Sequence, residues 1–348
     1  MKLSDFDFDL PPERIAQSPA EQRDQSRLMV LNRRERTIHH DFFYNLPRYL
    51  SHHPLMVFNN TRVFPAKLRA RMKNTGRTVE LLLTREISPN LWEAMIKGLN
   101  RLKEGTEFNF AHSDVKGKFL ERVGDRGRIA FEGADNVRTV LGTLAEMPLP
   151  PYIRREPDRD ARLTQMDYHR YQTVYAEKEG AIAAPTAGLH FTPEVMAQIE
   201  KEGADLAFIT LHVGPGTFQP IRVENPALHR MESEYFEISG KTWKQLVQAK
   251  KKGQSILAIG STSTRTLESV DLNHPHPQGQ SGWTGHYIYP GYTFKLVGQM
   301  LTNFHLPRST LLLMVSAFAG TELIRKAYQE AIREQYRFFS YGDAMLIL

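Results

Sequence analysis

Along the chain, the pattern of apolar and polar positions changes texture twice. Near the start, Leu28 to Leu31 is a short apolar run followed by a basic turn and a second extended piece. Leu55 to Phe58 is another, ending in a polar loop, Asn59-Asn60-Thr61-Arg62. Both runs have the length and flanks of buried strands. From about Ala66 to Glu132 the runs become short and alternating: "KLRARMK", "TVELLLTRE", "LWEAMIKGL", "EFNFA", "VKGKFLERV" and "GRIAFEG". Turn signals such as Asn74-Thr75-Gly76 and Asp125-Arg126-Gly127 separate them, and six strands so spaced predict a small antiparallel barrel.

After a proline- and charge-rich crossing that begins at Pro148, strands alternate with helices. "TPEVMAQIEKEG" carries a Thr192 N-cap, Pro193 at the first helical position and Gly203 as a stop. "DLAFITLHV" reads as a buried strand, "TWKQLVQAKKKG" as an amphipathic helix, and "QSILAIGSTSTRTLESV" as strand, loop and helix. Leu311 to Val315 form a charge-free helix capped by Ser309, and "YGDAMLIL" is a terminal strand. This alternation predicts an α/β main domain with a mostly parallel mixed sheet covered by helices. The expected division is residues 1–65 with 148–348 as a discontinuous α/β domain, and 66–147 as the inserted barrel.

Composition then removes several kinds of chemistry. The 348 residues contain no cysteine, which excludes disulfides, thiolate metal sites and a cysteine nucleophile. There is no His-Glu-x-x-His and no acidic run, so no metal is expected. Without a signal peptide or a long apolar window, a cytoplasmic protein with no membrane partner is expected. A net charge of +6 is compatible with a nucleic-acid partner. On a strand, Lys67, Arg69, Arg71 and Lys73 would share one face, either solvated or turned to RNA. Arg154 and Arg155 of the crossing are further phosphate candidates.

In a sheet of this kind, ligands sit beyond the carboxyl ends of the strands. Four polar loops fall there. "AAPTAGLHFTPE" brings Thr186, Gly188 and His190, and "TLHVGPGTF" brings His212, Gly214, Gly216 and Thr217. "IGSTSTRTLES" brings Ser261, Thr262 and Arg265 at a helix start, and "LTNFHLPRST" brings Asn303, Phe304 and His305. Together they predict one composite pocket for a small polar ligand, with "TNFHLPRST" as its rim. Neither a P-loop nor a dinucleotide fingerprint is present.

These loops, with "YIYPGYTFK", "YRFFSYGDAM", "DFDFDLPPERIAQSPAEQRDQSRL", "FNNTRVFPAKL", "PLPPYI" and "YQTVYA", resemble the S-adenosylmethionine:tRNA ribosyltransferase-isomerase family of queuosine biosynthesis. The resemblance runs in order over nearly the whole chain. It implies transfer of the ribosyl part of S-adenosylmethionine to the aminomethyl group of a 7-deazaguanine at the tRNA wobble position. Adenine and methionine leave, and the sugar becomes an epoxycyclopentane. S-adenosylmethionine is then a consumed substrate, no further cofactor is implied, and a tRNA carrying the modified base is the partner.

That chemistry needs a base for the ribose carbon acidified by the sulfonium, and His190, His212, His305 and Glu234 are candidates by type. Asn303 and Asp343 could assist departing adenine. The Ser261-Thr262 helix start with Arg265 could hold the methionyl carboxylate. Phe191, Phe218 and Phe304 could stack on adenine. Two positions depart from the family pattern: Glu232, where histidine is usual, and Gly298, where aspartate is usual. A methyltransferase acting on RNA and a non-catalytic tRNA-binding protein are the rival readings. A monomer without an obligate protein partner is expected.

Overall fold

The computed structural model describes the chain apart from residues 51, 156–160 and 219–220 and the side chains at 161, 217 and 218. Its larger sheet has nine strands, and four parallel ones form the centre: Asp205–Leu211, Leu55–Asn59, Ile256–Ile259 and Gln299–Asn303. Antiparallel neighbours flank this centre. Glu234–Ser239 and then Gly279–Thr284 extend one side. On the other side Ala344–Ile347 runs antiparallel to Gln299–Asn303, pairs parallel with Arg27–Asn32, and leads to the edge strand Thr37–Phe42.

Both faces of this sheet are covered. Met29 and Leu31 belong to one buried cluster, while Leu28 and Val30 belong to the other. Such two-sided burial is why these strands read as continuous apolar runs rather than alternations. The helices expected after Thr192 and before Gly253 are Pro193–Lys201 and Gly240–Lys252, capped at Val195 N–H by Thr192 and at Thr242 N–H by Ser239. Ser309 caps Thr310–Ala319 through the Leu312 N–H.

The smaller sheet is an antiparallel barrel. Its strands follow the order Lys67–Met72, Thr78–Ser88, Leu91–Ile96, Arg126–Glu132, Lys116–Val123 and Glu107–Phe110. The last pairs back onto the first at Ala70–Phe110 and Met72–Phe108, which closes the ring around its own core. A two-residue strand, Ala145–Glu146, adds to the first.

Two local expectations change. The loop after Phe58 is mostly strand: Thr61–Val63 pairs in parallel with Lys178–Ala181. No loop separates the Ile256–Ile259 strand from the helix Gly260–Glu268, because Gly260 at φ +88° turns the chain directly into the helix.

Candidate active site

The central strands deliver their carboxyl ends to one side of the sheet, and a cavity of about 640 Å³ opens there. Its wall includes Thr186, the start of the Gly260–Glu268 helix at Gly260, Ser261 and Thr262, and the whole segment from Thr302 to Ser309. Tyr152 from the proline-rich crossing and Phe339 and Ser340 near the C-terminus complete it. The composite pocket thus takes in three of the four expected loops directly, and the fourth through Val213.

Asn303 occupies the last position of its strand and is buried. Its Nδ2 donates to the Phe339 carbonyl at 3.2 Å and to His190 Nε2 at 3.1 Å. A flipped amide would set two carbonyl oxygens against each other, so the donor role of Nδ2 is assigned from this geometry. His190 Nε2 then accepts, and its proton lies on Nδ1, which donates to Ser26 Oγ at 2.7 Å. The remaining amide oxygen, Asn303 Oδ1, is buried with no hydrogen-bond partner among the described residues. Asn303 lines the cavity, and this buried oxygen is left with its lost water contacts uncompensated.

The three histidines have separate situations. His305 lines the cavity, with Nε2 2.9 Å from Thr302 Oγ1 and its backbone N–H donating to Tyr328 Oη. His190 stands behind Asn303 and faces a second, smaller cavity with Arg23 and Arg170. Burial pushes the pKa of each down to about 3, with Arg23 and Arg337 adding to the effect at His190. Both are neutral at pH 7. His212 lines neither cavity: its Nδ1 meets Thr61 Oγ1 at 2.8 Å and its ring stacks on Tyr235, with its pKa lowered chiefly by burial.

Several candidates are committed elsewhere. Glu234 accepts the Gly214 N–H at 2.8 Å and forms a buried ion pair with Arg265, whose Nε donates to the His286 carbonyl. Neither side chain belongs to the cavity wall, and each charge is met by the other. The helix start at Ser261-Thr262 remains, uncapped by any side chain at Ile259 and with the Thr262 hydroxyl unpartnered among the described residues. Asp343 accepts the backbone N–H groups of Arg27 and Arg337, and burial raises its pKa; it clamps two chain segments together.

Phe191 is a core residue, edge-on to Phe43 and Phe58. Phe304 contributes to the wall, but its ring packs among Tyr328, Tyr336 and Phe338 with no exposed surface for stacking. Gly188 serves packing: a Cβ there would lie 2.0 Å from the Tyr175 hydroxyl. Gly216 abuts the Glu232 side chain, and Thr217 lies outside the described side chains.

The basic stripe on the first barrel strand is already partnered. Lys67 faces Glu80 at 3.9 Å, Arg69 faces Glu146 at 3.6 Å, and Lys73 pairs with Glu107 at 2.6 Å, while Arg71 Nε binds the Gly76 carbonyl. Arg155 grips Asp167 with two hydrogen bonds, and Arg154 stays exposed.

The two departures from the family pattern find physical settings. Glu232 binds Arg126 of the barrel at 2.6 Å, tying the barrel to the segment before Glu234. Gly298 sits at the amino end of its strand, opposite the cavity, where a Cβ would lie 2.7 Å from Ser255 Oγ. Side-chain loss there removes nothing from the cavity wall. Sequence reasoning missed Ser26, Tyr152 and Ser340; each lies in a segment whose proximity to the cavity arises only from the fold.

Sheet, cavity and barrel define an α/β protein with a cavity at the carboxyl edge of its sheet and a closed antiparallel barrel as a second module. The family model described as queuosine biosynthesis protein matches residues 3–347. A protein of Caldanaerobacter subterraneus named S-adenosylmethionine:tRNA ribosyltransferase-isomerase is 48% identical over 351 residues, covering 100% of both chains. Its counterpart of the same name in Halothermothrix orenii is 45% identical over 349 residues, again with 100% coverage of both. The crystal structure of the Thermotoga maritima S-adenosylmethionine tRNA ribosyltransferase superposes with a TM-score of 0.56 at 35% identity, covering 99% of this chain and 100% of the other. The chain belongs to this queuosine biosynthesis family of S-adenosylmethionine:tRNA ribosyltransferase-isomerases.

Proposed function

We propose that the chain transfers and isomerises the ribosyl moiety of S-adenosylmethionine onto 7-aminomethyl-7-deazaguanine at the tRNA wobble position. The product is epoxyqueuosine, with adenine and methionine released. The carrying observation is the cavity itself, whose wall unites an unpaired Asn303 acceptor, an uncapped helix start and His305. Its volume lies in the range of about 300–1,000 Å³ that small-molecule sites occupy.

Within this reading the Ser261-Thr262 helix start receives the methionyl carboxylate, because no side chain caps it and its dipole favours an anion. Asn303 Oδ1 accepts from an N–H of the adenine. His305 is the base best placed for the ribose carbon, and its depressed pKa keeps it unprotonated. The same depression makes it a weak base, so the sulfonium must supply much of the acidification. His190 positions Asn303 rather than touching substrate.

Product analysis tests the reading directly. Purified protein is incubated with S-adenosylmethionine and an anticodon stem-loop bearing the aminomethyl-deazaguanine, with an unmodified guanine control. Free adenine, free methionine and a heavier RNA, all dependent on the modified base, are expected. S-adenosylhomocysteine as the product would replace the proposal with methyl transfer, and RNA binding without turnover would replace it with a non-catalytic role.

A further inference from the structure

Next to the main cavity lies the smaller one, walled by Arg23, Ser26, Arg170, Leu189, His190, Ser340 and Tyr341. Ser340 lines both cavities, and His190 links them through Asn303. The guanidinium groups of Arg23 and Arg170 are half-buried there and close enough to repel: Arg170, after burial, is a cause of the fall in Arg23 pKa to about 10.

Neither arginine has a carboxylate partner among the described residues. Arg23 donates to the carbonyls of Leu189 and His169, and Arg170 to those of Glu21 and Ala20. Arg170 Nε is buried with no hydrogen-bond partner among the described residues. Just upstream, Arg155 and Arg337 donate to the carbonyls of Gln17 and Ser18. Of the acids nearby, Asp167 is engaged by Arg155 and Tyr341 and Asp343 by two backbone N–H groups, while the Glu21 carboxylate is exposed and makes no ion pair with either arginine among the described residues. Two like charges withdrawn from water without a counter-charge are costly, and a bound anion is the remedy.

We propose that Arg23 and Arg170 bind a phosphodiester of the RNA substrate next to the base that enters the main cavity. The proposal rests on the functional reading above and adds a site to it. The main cavity has its own anion position at the Ser261-Thr262 helix start, which leaves the arginine pair for a second oxyanion. The pair also lies beside the exposed residues Glu21, Gln22, Tyr168 and His169, where a polymer can reach it. The other source of the same chemistry is the methionyl carboxylate.

The test uses the full-length protein, an unmodified anticodon stem-loop and S-adenosylmethionine bound separately. Arg170→Gln is expected to weaken RNA binding about tenfold and to reduce the slope of log affinity against log salt by about 1. S-adenosylmethionine affinity, measured without RNA, should stay within about twofold of wild type. A neutral methylphosphonate at one phosphodiester beside the wobble nucleotide should cost wild type about tenfold but Arg170→Gln less than about twofold, since the two changes remove one contact. Arg170→Lys, which keeps the charge, should retain the salt slope.

Loss of S-adenosylmethionine affinity instead would assign the pair to the carboxylate and overturn the proposal. Additive losses, an unchanged slope in Arg170→Gln, or equal loss in Arg170→Lys and Arg170→Gln would overturn it too. These readouts are of binding alone. Failed product formation with RNA binding and its arginine dependence intact therefore sinks the functional reading without touching the RNA contact.

Discussion

Glu234 and Arg265 illustrate how residue type and residue role diverge. By type they are a base and an anion receptor; in place they are a buried pair, with Arg265 1% exposed and Glu234 4%. Removing one partner strands the other charge, so Arg265→Met should lower unfolding free energy by about 3–5 kcal/mol. The double variant Arg265→Met/Glu234→Gln should lose less than the single one, although more has been removed. Urea unfolding at pH 7 decides this, and a double variant weaker than the single would refute the account.

The histidines predict a pH dependence with a definite sign. His190 and His305 titrate near about 3 folded, against about 6.5 unfolded, so the unfolded chain alone takes up protons between those values. Stability is full above about pH 6.5 and falls by about 1.4 kcal/mol per pH unit per histidine below it. Together they remove about 4 kcal/mol by pH 5, a loss visible in urea midpoints. His212 acts in the same direction, while the raised Asp343 partly offsets them at lower pH. Midpoints that hold constant from pH 7 to 5 would refute the assignment.

At the scale of elements, the short helical turn Thr186–His190 is shaped by what lies against it. The Tyr175 hydroxyl occupies the space a side chain at 188 would need. Gly188→Ala must displace either the turn or the tyrosine, and a cost of about 1–3 kcal/mol is expected from overpacking. Tyr175→Phe should recover part of that loss, because it removes the 2.0 Å contact and leaves Thr173 Cγ2 at 2.9 Å and the ring carbon Cζ at 3.0 Å. Thermal unfolding of the single and double variants checks it; simple additivity would rule it out. The helix Thr310–Ala319 shows the opposite case, an element legible from its Ser309 cap and apolar run alone.

For the whole molecule, the question is which surface meets RNA. The barrel strand displays Lys67, Arg69 and Lys73, but Glu80, Glu146 and Glu107 stand opposite them. Counterion release requires cations that are free to replace salt ions. Replacing all three by alanine is therefore expected to change the salt slope of RNA binding by less than about 1. A reduction near 3 would return the stripe to the RNA interface. Ion pairs tie the barrel region to the rest of the chain at Arg126–Glu232 and Arg138–Glu179.

The sequence by itself determined the main strands of both sheets, the helix caps and the barrel, though not the Thr61–Val63 pairing with Lys178–Ala181. It did so because periodicity, turn chemistry and capping are local, set by residues within a few positions of one another. Only the tertiary structure decided which polar residues line the cavity and which are engaged with one another. Glu234 met Arg265 across 31 positions, His190 met Asn303 across 113, and Arg23 and Arg170, neither with a carboxylate partner among the described residues, came together across 147. Burial and charge compensation depend on such distant partners, and no local pattern encodes them.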